Sequence, residues 1–137
     1  MDLYTRRLVR SGLIWLGVGV LIGVAMALAP GRALAYRPAH LHANLLGFVS
    51  MMIFGVAYHV VPRFTGRGLH EPRLASVHVW VANAGLIGMV GGFVLRVHRP
   101  EGVPLLVAGA LLSTAGAFMF IFNIWRTLEP LPPRAGR

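Results

Sequence analysis

Apolar residues run along this chain in four long blocks. They do not follow the three-to-four-residue spacing of a surface helix or the alternation of a half-buried strand. The blocks extend from about Ser11 to Ala29, His42 to Val61, Ser76 to Leu95 and Val103 to Trp125. Each is close to the 20 or so residues an α-helix needs to cross a hydrocarbon layer about 30 Å thick. In that layer the backbone must satisfy its own N–H and C=O groups, so each block is predicted to be a transmembrane helix. Short connections separate them: Pro30 to Ala39, Pro62 to Ala75 and Arg96 to Gly102. Pro30, Pro38, Pro62, Pro72, Pro100 and Pro104 fall in or beside these connections, which predicts spans free of interior prolines. The expected fold is all-α: one integral membrane domain over residues 1–137, with four helices running up and down. Residues 1–10 read as a short basic interfacial segment and residues 127–137 as a flexible, proline-rich tail. The first block is too long for a cleaved signal peptide, and another helix follows it directly.

Composition sharpens the picture. Of 137 residues, 56% are hydrophobic and 12% charged, and mean hydropathy is +0.69. A soluble core of this size cannot hide so much apolar surface, which excludes a water-soluble enzyme, a disordered tail and a secreted mini-protein. Cysteine is absent, so thiolate metal sites, disulfides, Cys nucleophiles and covalently attached c-type haem are excluded. The net charge of +9 comes from 13 arginines, no lysine and four acids. Because the arginines cluster between the apolar blocks, they read as a topology signal and not as a nucleic-acid surface. With the N-terminus inside, Arg6, Arg7, Arg10, Arg63, Arg67, Arg73, Arg126, Arg134 and Arg137 fall on the cytoplasmic side, against Arg32, Arg37, Arg96 and Arg99 outside. Both termini are therefore expected in the cytoplasm of a cell whose inner (plasma) membrane holds the chain. All four acids lie outside the blocks, and no carboxylate pair, Ser-His-Asp set or phosphate-cradling loop is present.

Function must then sit in the spans or at their rims, where six histidines are the main candidates. His59, His70, His78 and His98, taken singly, read as residues that reach the membrane interface. The pair His40-Leu41-His42 differs. On a helix, residues two apart point about 200° from one another. These imidazoles cannot close on one ion, but they can serve two sites on opposite faces, each completed by another helix. Haem iron, which takes axial imidazoles from separate helices, suits that geometry.

The run His40-Leu-His-Ala-Asn-Leu-Leu-Gly-Phe, continuing through Ile53-Phe-Gly-Val-Ala-Tyr-His59-Val-Val-Pro62-Arg-Phe-Thr-Gly66, resembles helix ten of the haem-copper oxidase catalytic subunit and its following loop. Leu69-His-Glu71-Pro, Ala75-Ser-Val-His78-Val-Trp80, Asn83 and Gly85 resemble the start of helix eleven. Phe120-Ile-Phe-Asn-Ile-Trp125 is similar to the end of helix twelve. The likeness covers roughly residues 37–126, the C-terminal four-helix portion of a family that includes cytochrome c oxidase subunit I and nitric oxide reductase. It implies that His40 stands where the family's high-spin haem ligand lies and His42 where its low-spin haem ligand lies. More loosely, it places Arg96 and Arg99 where arginines contact haem propionates. Arg37, on the same rim, is a further anion partner by position alone. The family's copper ligands lie in portions absent here, so no copper and no complete oxidase activity are expected.

The family subunit resembles three four-helix arcs about a pseudo-threefold axis, and this chain has the size of one arc. The expectation is a homotrimer in which His40 of one protomer faces His42 of the next across haem b, near the outer leaflet. Three functions stay open: a membrane cytochrome b passing electrons between a quinol and a periplasmic carrier, or within an oxidase-like assembly; a haem protein that binds or senses oxygen or nitric oxide; and a haem-free structural or assembly protein. His59 and His78, near the inner surface and about 28 Å from His40 by helical rise, are expected to pack with the loop Arg63 to Arg73, a proton path or inner haem being the alternative. Gly19-x-x-x-Gly23 and Gly88-x-x-x-Gly92 offer faces for close helix approach. Trp15, Trp80 and Trp125 suit an interfacial aromatic belt or packing against a cofactor. Met26, Met51, Met52, Met89 and Met119 read as core filler.

Overall fold

The computed structural model describes residues 1–129. The helices are α1 (Leu3–Leu28), α2 (Ala33–His42), α3 (Met51–Thr65), α4 (Pro72–Arg96) and α5 (Gly102–Leu128). A 3-10 turn, Pro30–Arg32, leads into α2, and a π-helical stretch, Ala43–Ser50, joins α2 to α3. Pro30–Thr65 is thus one helical rod of 36 residues, and the described residues hold four helices long and apolar enough to cross a membrane. No strand occurs among them.

Three sequence expectations need correction. The second span begins at Pro30 and not at His42, which moves the histidine pair from a helix end into the body of the rod. Pro38 and Pro62 lie inside helices α2 and α3. The carbonyls that lose a helical donor are those of Leu34, four residues before Pro38, and Tyr58, four residues before Pro62, so each proline costs the rod a single backbone bond and the helix continues through it. At the chain's ends, residues 3–10 are the first turns of α1, and Thr127 and Leu128 belong to α5. Residues 130–137 of the expected tail lie outside the described residues.

Packing follows from small residues. On α4, Gly85, Gly88 and Gly92 face Ser113, Gly109 and Leu106 of α5 so closely that a Cβ on Gly88 would lie 3.0 Å from the Gly109 Cα. The pattern Gly88-x-x-x-Gly92 therefore serves a contact within the chain. Half of α4's most apolar window is buried, against at most 22% for the other spans, so α4 is the central helix. Outward-facing Leu21, Leu28, Leu111 and Phe118 are exposed, as lipid contact requires.

Glu71 caps α4 by accepting from the Arg73 N–H, at the same end of the bundle as the start of α1 and the end of α5. Arg67 donates there to the carbonyls of Thr127 and Glu129. That end carries Arg6, Arg7, Arg10, Arg63, Arg67, Arg73 and Arg126; the other carries Arg32, Arg37, Arg96 and Arg99.

Candidate functional site

His40 and His42 leave the rod on opposite sides. The His40 ring turns toward α1, where its Nδ1–H donates to the Gly19 carbonyl at 2.9 Å. Its Cε1 fills the space that a side chain at Gly23 would need. The His42 ring turns toward α4 and lies against Phe93, centroids 4.9 Å apart. Its Nδ1–H donates to the Pro38 carbonyl at 2.7 Å. Gly19-x-x-x-Gly23 thus gives the His40 ring a seat as well as a helix contact. The divergence expected from two-residue spacing is present in the fold.

In each ring a backbone carbonyl holds the Nδ1 proton, which leaves Nε2 with its lone pair. Neither Nε2 has a hydrogen-bond partner among the described residues. A carbonyl behind Nδ1 is the second-shell arrangement that orients a metal-bound imidazole and raises its basicity. Asn44 completes the setting: its amide donates to the His40 carbonyl at 2.8 Å, at the junction of α2 with the π-helical stretch, and its side chain occupies the space beside Gly19. Single-turn π distortions occur disproportionately beside functional groups.

The expected arginines lie at the same end of the bundle. Arg96, the last residue of α4, sits over the Phe93 ring at 5.7 Å, on the His42 side. Arg37 and Arg99 are exposed. None of the three has an ion-pair partner among the described residues. Tyr36 and His98 share a 2.7 Å hydrogen bond that ties α2 to the loop after α4. His42, Phe93 and Arg96 thus lie together, with exposed Arg37 and Arg99 at the same rim. The donor set, paired imidazoles with free Nε2 atoms and unpaired guanidinium groups at one rim, fits a propionate-bearing porphyrin.

The other histidines separate. His59 accepts from Arg63 at 2.8 Å, within the expected loop contact. His70 is exposed, with its edge toward Phe122. His78 departs from expectation: it is fully buried, bonded through Nδ1 to the Tyr58 hydroxyl at 3.1 Å and enclosed by Phe54 and Phe120. It belongs to the core and not to the loop. Trp15 is also buried, donating to Asn83 at 3.2 Å, while Trp80 and Trp125 are exposed. Sequence reasoning missed the Gly19 and Pro38 carbonyls, Asn44 and Phe93. An amide four residues after His40 was the one signal available for any of them.

Four membrane-length helices and a span bearing two divergent, carbonyl-anchored imidazoles define a multi-pass membrane protein able to offer axial ligands. Over residues 5–134 the sequence matches the family described as Cytochrome C and Quinol oxidase polypeptide I, and the chain belongs to it. This is a family of membrane haem-binding proteins that work in electron transport. The chain is 27% identical to the Cbb3-type cytochrome c oxidase subunit CcoN1 of Stutzerimonas stutzeri, in a match covering 88% of this chain and 32% of that protein. It is 28% identical to cytochrome c oxidase subunit 1 of Rhodobacter capsulatus, over 70% of this chain and 23% of that one. The bacteroid subunit 1 homolog of Bradyrhizobium diazoefficiens is 27% identical over 66% and 21%. The chain thus spans about a third or less of the length of these relatives.

Proposed function

We propose that this chain holds b-type haem through His40 and His42 and passes single electrons within the membrane. The observation that carries the reading is the pair itself: two imidazoles on opposite sides of one span, each with Nδ1–H on a backbone carbonyl and Nε2 unpartnered. Bound haem supplies a one-electron iron couple whose potential is set by axial ligands and surrounding charge. The Gly19 and Pro38 carbonyls orient the two rings, Phe93 packs one face beside His42, and Arg96, Arg99 and Arg37 stand at the rim for propionates.

Opposite His40 lies the backbone of α1, and opposite His42 lies Phe93, so no second imidazole faces either within the chain among the described residues. The proposal therefore includes a closed homotrimer in which His40 of one protomer and His42 of its neighbour share a haem, with up to three equivalent sites. The proposal assigns no role to copper. A quinol on one side and a periplasmic carrier on the other are the proposed electron partners. The arginine-rich end, with both termini, is assigned to the cytoplasm and the membrane to the cell's inner membrane by the bias of basic residues.

The test is the visible spectrum of the detergent-purified protein, oxidised, dithionite-reduced and then exposed to carbon monoxide, with His40→Ala and His42→Ala alongside. Sharp reduced bands unmoved by carbon monoxide and lost in both variants support six-coordinate electron-transfer haem. A shift with carbon monoxide replaces the proposal with oxygen or nitric oxide binding. A colourless sample from haem-sufficient cells overturns it in favour of a structural or assembly role. One haem per trimer, or none, removes the shared-site arrangement.

A further inference from the structure

A groove of about 380 Å³ lies between α1 and α4 near the end that carries the N-terminus. Arg7, Arg10 and Ser11 form one side and Trp80 and Asn83 the other, with Ile14, Val79 and Ile87 continuing it as apolar wall. The Arg7 guanidinium stacks over the Trp80 ring at 5.6 Å, which holds the cation at the groove while leaving its N–H donors free. Arg10 is one turn further along the same face. Neither arginine has an ion-pair partner among the described residues, and no acid lines the groove. Asn83 is already committed, accepting from Trp15 and donating to the Val79 carbonyl at 2.7 Å, so it serves as wall and not as recognition group.

We infer that this groove binds the headgroup and first acyl carbons of an anionic phospholipid. A phosphate diester accepts from Arg7, Arg10 and the Ser11 hydroxyl together, whereas Ile14, Val79 and Ile87 match methylenes. Arg10 stands seven residues, about 10 Å of helical rise, beyond the first residue of α1. Arg10 is exposed and directly precedes the apolar block that begins at Ser11, which sets its guanidinium at the level where lipid phosphates lie. A second copy of this chain is a poor source of an anion: its acids, Asp2, Glu71, Glu101 and Glu129, all flank the helices and none lies within one. A neutral lipid or quinone brings no compensating charge. The inference is independent of the haem reading.

The experiment compares retention of phosphatidylglycerol and phosphatidylcholine by the detergent-solubilised protein in native mass spectrometry. Phosphatidylglycerol should be preferred, and Arg7→Gln with Arg10→Gln should cut that preference about 25-fold, two arginines each giving about a factor of five. The variant Arg73→Gln, away from the groove, should leave it unchanged. Phosphatidylglycerol brominated near the headgroup should quench Trp80, read as wild type against Trp80→Phe, so the test does not depend on the arginine variants folding. Equal retention of the two lipids, or a preference untouched in the double arginine variant, overturns the assignment. So does ready crosslinking of Ile87→Cys to a second chain in native membranes, which would show a protein occupant in this cysteine-free background.

Discussion

The imidazole of His40 is held from a neighbouring helix: its Nδ1–H donates to the Gly19 carbonyl 2.9 Å away, and the space beside that glycine is filled by Asn44. A methyl group at position 19 would fall within the Asn44 amide, which then has to leave the His40 carbonyl. Gly19→Ala is expected to destabilise the protein by about 1–3 kcal/mol, the usual cost of overpacking, and to lower haem per chain. Thermal unfolding in detergent and haem content check this. Gly17→Ala is the control: nothing lies within 4 Å of a Cβ there, and removing a helical glycine should stabilise by about 0.5–1 kcal/mol.

The seam between α4 and α5 predicts a harsher result. A Cβ on Gly109 would meet the Met89 backbone nitrogen and the Gly88 carbonyl carbon, and backbone cannot swing aside as a side chain can. Gly109→Val should separate the two helices and abolish a folded, detergent-stable product, read by size-exclusion profile and yield. Gly91→Ala, on α4, meets only Leu105 Cδ2 at 3.8 Å and should behave as wild type.

Much of this was legible in the sequence, and for stated reasons. Membrane length and hydropathy are one-dimensional properties, so four spans could be read from the apolar blocks alone. The divergence of His40 and His42 follows from the 100° turn per residue. What sequence could not show is where each ring lands, since that depends on crossings between helices. Gly19 and Phe93 are 21 and 51 residues away from their respective histidines, and neither residue type advertises the contact. The span boundaries differ from the sequence expectation because proline signals a helix break in isolation, while in this rod the bonds lost at Pro38 and Pro62 are local. Position along the helix alone puts His78 near the surface, and the facing Phe54 of α3 and Phe120 of α5 that bury it are not legible in the sequence.

Asn123 joins α5 to the start of α4 by two bonds. Its Oδ1 accepts from the Glu71 N–H and its Nδ2 donates to the Glu71 carbonyl, both at 2.9 Å. Asn123→Leu keeps the volume but strands the Glu71 N–H, worth about 1–3 kcal/mol when buried without a partner, while the Glu71 carbonyl keeps its bond from the Ala75 N–H at 3.2 Å. Because water can reach Glu71, about 2 kcal/mol in total is expected. Faster cleavage in the connection Gly66 to Glu71 under limited proteolysis should accompany it, with haem content unchanged.

The pair Tyr58 and His78 tests whether the second group of histidines is architecture or chemistry. The Tyr58 hydroxyl is the only partner of the buried His78 ring among the described residues, and His78 Nε2 has none. Tyr58→Phe removes that partner and should cost about 1–3 kcal/mol. His78→Phe exchanges the imidazole for an apolar ring among Phe54 and Phe120, and should cost no more. If the two act through their shared bond, the double variant will lose less than the sum of the singles by about 0.5–3 kcal/mol. Tyr58 lies 18 residues beyond His40, about 27 Å of helical rise, so a structural role leaves the haem spectrum of every variant identical to wild type. Loss of half the haem absorbance in His78→Phe would instead show an iron ligand at that end of the bundle.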